Sequence, residues 1–98
     1  MISCVKSDGV ATIKIQGAFD FSCHKAFSDV YEKVKSERDI RVDFSETTYL
    51  DSSALGMLIL LRDHAKIKNG SVVLISPDET VNDALKMANF DRLFKIER

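Results

Sequence analysis

From Ala54 to Leu61 the chain is apolar at every position except Gly56, so a helix built on this stretch offers water no polar face for two turns. Such a run must be buried on both sides, or keep one side for a partner. It opens on Asp51-Ser52-Ser53, residue types that cap helix N-termini by accepting orphan backbone N–H groups. It continues helically to about Lys68, where Asn69-Gly70 stops it. Everything else in the chain must be arranged around this helix.

The flanking segments are β-like. Ile40, Val42 and Phe44 alternate with Arg41 and Asp43, a strand with one polar face. Ser71-Val72-Val73-Leu74-Ile75 is a continuous apolar run, the pattern of a central strand covered on both faces. Nearer the start, Ile2 to Lys6 and Val10 to Gln16 are joined through Ser7-Asp8-Gly9, where Asp-Gly supplies the positive φ angles of a tight hairpin turn.

Gly17-Ala18-Phe19-Asp20 then breaks the alternation. Asp20 or Ser22 caps a helix carrying Cys23, Phe27, Val30 and Val34 on one stripe, ended by the charged stretch Lys35 to Asp39. Pro77-Asp78-Glu79 starts a third helix, with proline in its first turn and Val81, Ala84, Leu85 and Ala88 as its stripe. Leu93 to Ile96 adds an edge strand. The order β-β-α-β-α-β-α-(β) predicts an α/β fold: a small mixed β-sheet, with an N-terminal hairpin plus parallel strands, and three or more helices. With 98 residues, residues 1–98 are expected to form a single domain, with room for one core and little for a deep cleft.

Charge narrows the function. A formal net charge of −1, with lysines and acids interleaved, gives no footprint for nucleic acid or an anionic membrane. The apolar run is far shorter than the roughly 20 residues that span a bilayer, and no secretory signal precedes it. Cys4 and Cys23 read as reduced, half-buried thiols, and the expected location is cytoplasmic.

Catalytic constellations are lacking. Ser53 and His64 lie about 16 Å apart along a helix rising 1.5 Å per residue, too far for His64 to serve as that serine's base. No Gly-x-Ser-x-Gly elbow and no Gly-rich phosphate loop exists. Cys23 and His24 are adjacent, and consecutive helical residues diverge by about 100°, poor geometry for joint metal ligation. The expectation is no enzyme, no cofactor and no metal.

The residues Val42-Asp43-Phe44-Ser45, then Tyr49-Leu50-Asp51-Ser52-Ser53-Ala54-Leu55-Gly56, resemble the STAS domain, specifically the bacterial anti-sigma factor antagonists. Those read as an apolar strand, a short connection, then Asp-Ser-Ser-Gly-Leu-Gly opening a helix. Gly17-Ala18-Phe19-Asp20 is similar to the family's Gly-x-Leu-Asp loop, and Met87 to Ile96 to its closing helix, loop and strand. Ala54 stands where the family more commonly has glycine.

The resemblance implies a single STAS domain over residues 1–98, present as a monomer or weak dimer. It implies Ser53 as the phosphorylated serine, and Asp20, Asp51, Ser52, Ser53, Ala54, Leu55, Gly56 and Met57 as partner-binding residues. The implied partners are an anti-sigma factor that is also a serine kinase, and a PP2C-type phosphatase that resets the switch. The alternative is a constitutive structural STAS subunit of a stress-sensing or lipid-transport assembly. On the helix itself, Ala54, Leu58 and Leu61 are expected on a different side from Met57 and Leu60.

Overall fold

A computed structural model describes residues 1–98. Seven strands and three helices follow one another as β1 (Ile2–Ser7), β2 (Val10–Ile15), β3 (Gly17–Phe19), α1 (His24–Val34), β4 (Asp39–Asp43), β5 (Thr47–Leu50), α2 (Ser52–Ile67), β6 (Val72–Ile75), α3 (Glu79–Met87) and β7 (Lys95–Glu97). Short 3-10 turns at Phe21–Cys23 and Phe90–Arg92 precede α1 and β7. The hairpin forms as its turn demands: Asp8 and Gly9 both take positive φ, 53° and 80°.

The main sheet runs in the order β1-β2-β4-β6-β7, with β1 antiparallel to β2 and the remaining pairs parallel. Ala11, Ile13, Ile15, Ile40, Val42 and Leu74 are buried on one face of it, and they join the inward stripes of the helices in a single apolar core. On the opposite face stand Thr12, Lys14, Arg41 and Asp43, all half-buried. β6 corrects the expectation of a strand covered on both faces. Val72 and Leu74 are buried, but Val73 and Ile75 are only half-buried, because they share the second face with charged neighbours rather than with a helix layer.

Helix ends follow from local chemistry. Asp78 is the N-cap of α3, accepting the Val81 N–H at 2.8 Å, so Pro77 lies just outside the helix and not in its first turn. α2 stops through Asn69, whose φ is 58°, while Gly70 donates its N–H to Ala65 O at 2.7 Å. Gly70 is needed for a different reason: a Cβ there would collide with the Arg38 carbonyl oxygen and lie 2.6 Å from its carbonyl carbon. Both cysteines are free and half-buried. No helix is long and apolar enough to cross a membrane.

Candidate functional site

Two segments that read as irregular in the sequence turn out to be a second, two-stranded parallel sheet. Gly17 pairs with Thr47, Ala18 with Tyr49 and Phe19 with Leu50, with a register irregularity after Gly17. Thr47 anchors it from within, its buried hydroxyl donating to Ile15 O at 2.7 Å. Both strands run out at an aspartate, so Asp20 and Asp51 leave the sheet side by side, and the Asp51 N–H donates to Phe19 O at 3.3 Å.

The two carboxylates then organise the turns that follow. Asp51 is the N-cap of α2: its Oδ1 accepts the Ala54 N–H at 2.9 Å. Its Oδ2 accepts the Phe21 N–H at 3.1 Å, which ties the α2 entrance to the turn before α1. Asp20 caps that turn, accepting the Ser22 N–H at 3.0 Å and the Ser22 hydroxyl at 2.5 Å. The first helical positions of α2 are therefore Ser52, which is exposed, and Ser53, which is half-buried.

Between these turns lies an open groove of about 420 Å³ lined by Phe21, His24, Ser53, Gly56, Met57 and Leu60. Phe21 is 71% exposed and Leu60 47%, and together with the edge of Met57 they put apolar surface on the groove. The Phe21 ring stacks obliquely over His24, with centroids 6.2 Å apart. A Cβ on Gly56 would meet nothing within 4 Å, so bare backbone is accessible there.

Of the residues singled out in the sequence, Asp20, Asp51, Ser53, Gly56 and Met57 converge on this end of α2. Ser52 points to solvent beside the groove, Leu55 is half-buried, and Ala54 is fully buried beneath it. Met57 departs from the expected division of α2. It is only 6% exposed and belongs to the core with Ala54, Leu58 and Leu61, while Leu60 alone of that pair faces outward. Met57 packs inward yet shows one edge to the groove. Phe21 and His24 were not singled out as binding residues. The signal available was Phe21 standing off the Cys23-Phe27-Val30-Val34 stripe, directly after the loop aspartate.

His64 belongs to neither site nor chemistry. Its Nε2 donates to Lys35 O at 2.5 Å, its Nδ1 lies 3.3 Å from the Tyr31 hydroxyl, and the two rings meet edge-on. It pins the end of α1 to α2. No three metal-ligating side chains converge anywhere in the fold.

The family model described as "Mlab, STAS domain" matches residues 2–96. The chain belongs to the STAS domain family. A STAS-domain containing protein of Pseudomonas aeruginosa strain UCBPP-PA14 is 51% identical over 86 residues, covering 87% of this STAS domain chain and 85% of the relative. Among solved structures, a candidate anti-sigma factor antagonist from Thermotoga maritima superimposes with a TM-score of 0.90 at 23% identity, covering 99% of this chain and 86% of that one. The Bacillus anti-sigma factor antagonist SpoIIAA gives 0.80 in its unphosphorylated form and 0.74 in its phosphorylated form, both at 16% identity. Those alignments cover 98% of this chain and 87% and 90% of the SpoIIAA chains. These structures share the fold of a STAS domain with a mixed sheet and three helices.

Proposed function

We propose that this STAS domain, taken as one unit over residues 1–98, is an anti-sigma factor antagonist with no catalytic activity of its own. Unphosphorylated, it captures a serine-kinase/anti-sigma factor in the cytoplasm and so releases the sigma factor. Phosphorylation of Ser53 blocks capture, and a PP2C-type phosphatase resets it. Asp20, Asp51, Ser52, Ser53, Leu55, Gly56 and Met57 form the docking surface, with Ala54 supporting it from below. The observation that carries this reading is the position of Ser53: half-exposed in the first turn of α2, on the rim of an open apolar groove.

The physics of the switch follows from that position. A phosphate adds about −1.5 to −2 charges. At a helix N-terminus it is tolerated locally, since free N–H groups and the macrodipole favour an anion, so the domain stays folded. A docking partner, however, must desolvate the phosphate beside Asp51, and an unpaired buried charge costs several kcal/mol. A penalty of about 3 kcal/mol weakens binding more than a hundredfold.

Two observations favour a second reading, a constitutive structural subunit of a larger assembly. The matching family model is described by "Mlab", and one structural neighbour is a sulfate transporter family protein from Wolinella succinogenes. Intact-mass measurement after incubation with ATP and candidate anti-sigma kinases separates the two. The expected result is one added phosphate that disappears in Ser53→Ala, which still binds the kinase. Full phosphorylation of Ser53→Ala moves the modification elsewhere, and co-purification in a fixed, unmodified complex favours the second reading.

A further inference from the structure

A second recess lies at the other end of α2, where β6 and β7 begin, about 20 Å from Ser53 along a helix rising 1.5 Å per residue. Its volume is about 490 Å³, within the range of small-molecule sites. Three cations line it, Arg62, Lys66 and Lys95, and no acidic side chain does. Its apolar lining is Ala65, Val72, Val73 and Leu93; Ala65 and Val72 are buried in the core, so the surface open to a ligand is that of Val73 and Leu93.

Elsewhere some lysines and arginines pair with neighbouring acids, as at Lys14–Glu46, Lys25–Asp29, Lys35–Glu32 and Arg38–Asp39, and others, such as Lys33 and Lys86, have no carboxylate within 4 Å. What marks this recess is three cations lining one concavity with no acid among them. Arg62 and Lys66 have no carboxylate within 4 Å. Arg62 is half-buried, and its Nε donates to Leu93 O at 3.0 Å, which holds the guanidinium in place while leaving its charge uncompensated. Lys95 meets only Glu97, at 3.5 Å, and Glu97 also serves Arg41 at 3.4 Å.

We propose that this recess binds an amphipathic anion: a phosphate monoester carried on a compact apolar body. The phosphate takes its charge complement from Arg62, Lys66 and Lys95, a planar fork plus two point charges. The apolar body rests on Val73 and Leu93, the apolar lining residues with open surface. The two halves of the ligand correspond to the two halves of the lining, and neither half suffices alone. This site is independent of Ser53 and of the reading built on it.

The test is an NMR titration of the ¹⁵N-labelled protein with phenyl phosphate, with inorganic phosphate, phenol and sodium chloride as separate arms. The expected result is saturable shifts at Arg62, Lys66, Gly70 to Val73 and Leu93 with phenyl phosphate. Inorganic phosphate binds the same residues at least tenfold more weakly, and phenol and chloride leave them unmoved. Lys66→Gln and Lys95→Gln, whose side chains support no internal contact beyond the Lys95–Glu97 pair, weaken phenyl phosphate at least fivefold at unchanged melting temperature. Arg62→Gln is the stronger variant but also releases Leu93 O. Equal shifts with chloride and phenyl phosphate, shifts centred on the Ser53 end of α2, or unaltered affinity in both lysine variants overturn the proposal. So does saturable binding of an acidic peptide at these residues with none of phenyl phosphate.

Discussion

Asp51 holds Phe21 across thirty positions of sequence: its Oδ2 accepts the Phe21 backbone N–H at 3.1 Å while its Oδ1 caps α2. One carboxylate thus fixes both walls of the groove. Asp51→Ala is expected to lower stability by about 2 kcal/mol, the sum of a lost cap and a lost charge-assisted hydrogen bond. Asp51→Asn keeps one acceptor oxygen for the cap but turns an NH2 donor toward the Phe21 N–H, so it is expected to recover only the cap's share, about 1 kcal/mol. Urea denaturation of the three proteins checks the ordering; equal stabilities of wild type and Asp51→Ala refute it.

α2 offers a paired experiment on its two faces. Leu58 is fully buried, and Leu58→Ala is expected to destabilise by about 2–5 kcal/mol. Leu60 is 47% exposed on the groove, so Leu60→Ala is expected to change stability by less than about 1 kcal/mol. Under the proposed function, Leu60→Ala weakens partner capture at least tenfold in a pull-down titration. Full capture by a folded Leu60→Ala protein removes the groove from the interface.

Gly70 is tested by a single methyl group. With the Arg38 backbone where a Cβ would stand, Gly70→Ala forces the α1–β4 connection away from α2 and is expected to destabilise by about 1–3 kcal/mol. Thermal melting reads this directly. A melting temperature at or above wild type means that the connection yields freely.

The pH profile has two flanks set by one exposed pair. Hydrogen bonding and attraction to Glu46 raise Lys14 above its ordinary 10.5, and Lys14, helped by Gln16, lowers Glu46 below its ordinary 4.5. The Glu46 contribution is present above pH 4.5 and is lost as pH falls through its depressed folded value. The Lys14 contribution is present below pH 10.5 and is lost as pH rises through its elevated folded value. The stability difference between wild type and Glu46→Gln is therefore expected to be small, flat between about pH 5 and 10, and reduced at both ends. A difference that changes sign near neutrality contradicts the pairing.

What the sequence made legible was periodicity and punctuation. The hairpin turn, the three helices and the alternating strands each rest on residues near one another in the chain, and Asp8-Gly9 or Asp51 before α2 act locally. β3 and β5 escaped because three- and four-residue strands complete no cycle of alternation: Thr47 to Leu50 runs buried, exposed, exposed, buried. Their β-branched and aromatic residues were the only hint, and their pairing spans some thirty positions. Asp20, Asp51 and Ser53 were legible through residue type at an element boundary. Phe21 and His24 were not, because what makes them part of the groove is the Asp51 tie, a long-range contact that leaves no mark in local pattern. The division of α2 failed at Met57 for a related reason: its core-facing stripe is wide enough to take in Met57 beside Leu58 and Leu61, leaving Leu60 as the outward residue.

Ser53 is held in regular helix from its own backbone onward, with Ala54 locked beneath it and Asp51 fastened behind. An enzyme that reaches this hydroxyl cannot draw the surrounding residues out as an extended strand without unwinding α2. Under the proposed function, recognition therefore reads a folded contour, assembled from Phe21, His24 and Leu60 as much as from the neighbours of Ser53. Under that same proposed function, a synthetic peptide copying residues 48–66 carries every letter of the motif and lacks the shape the kinase reads.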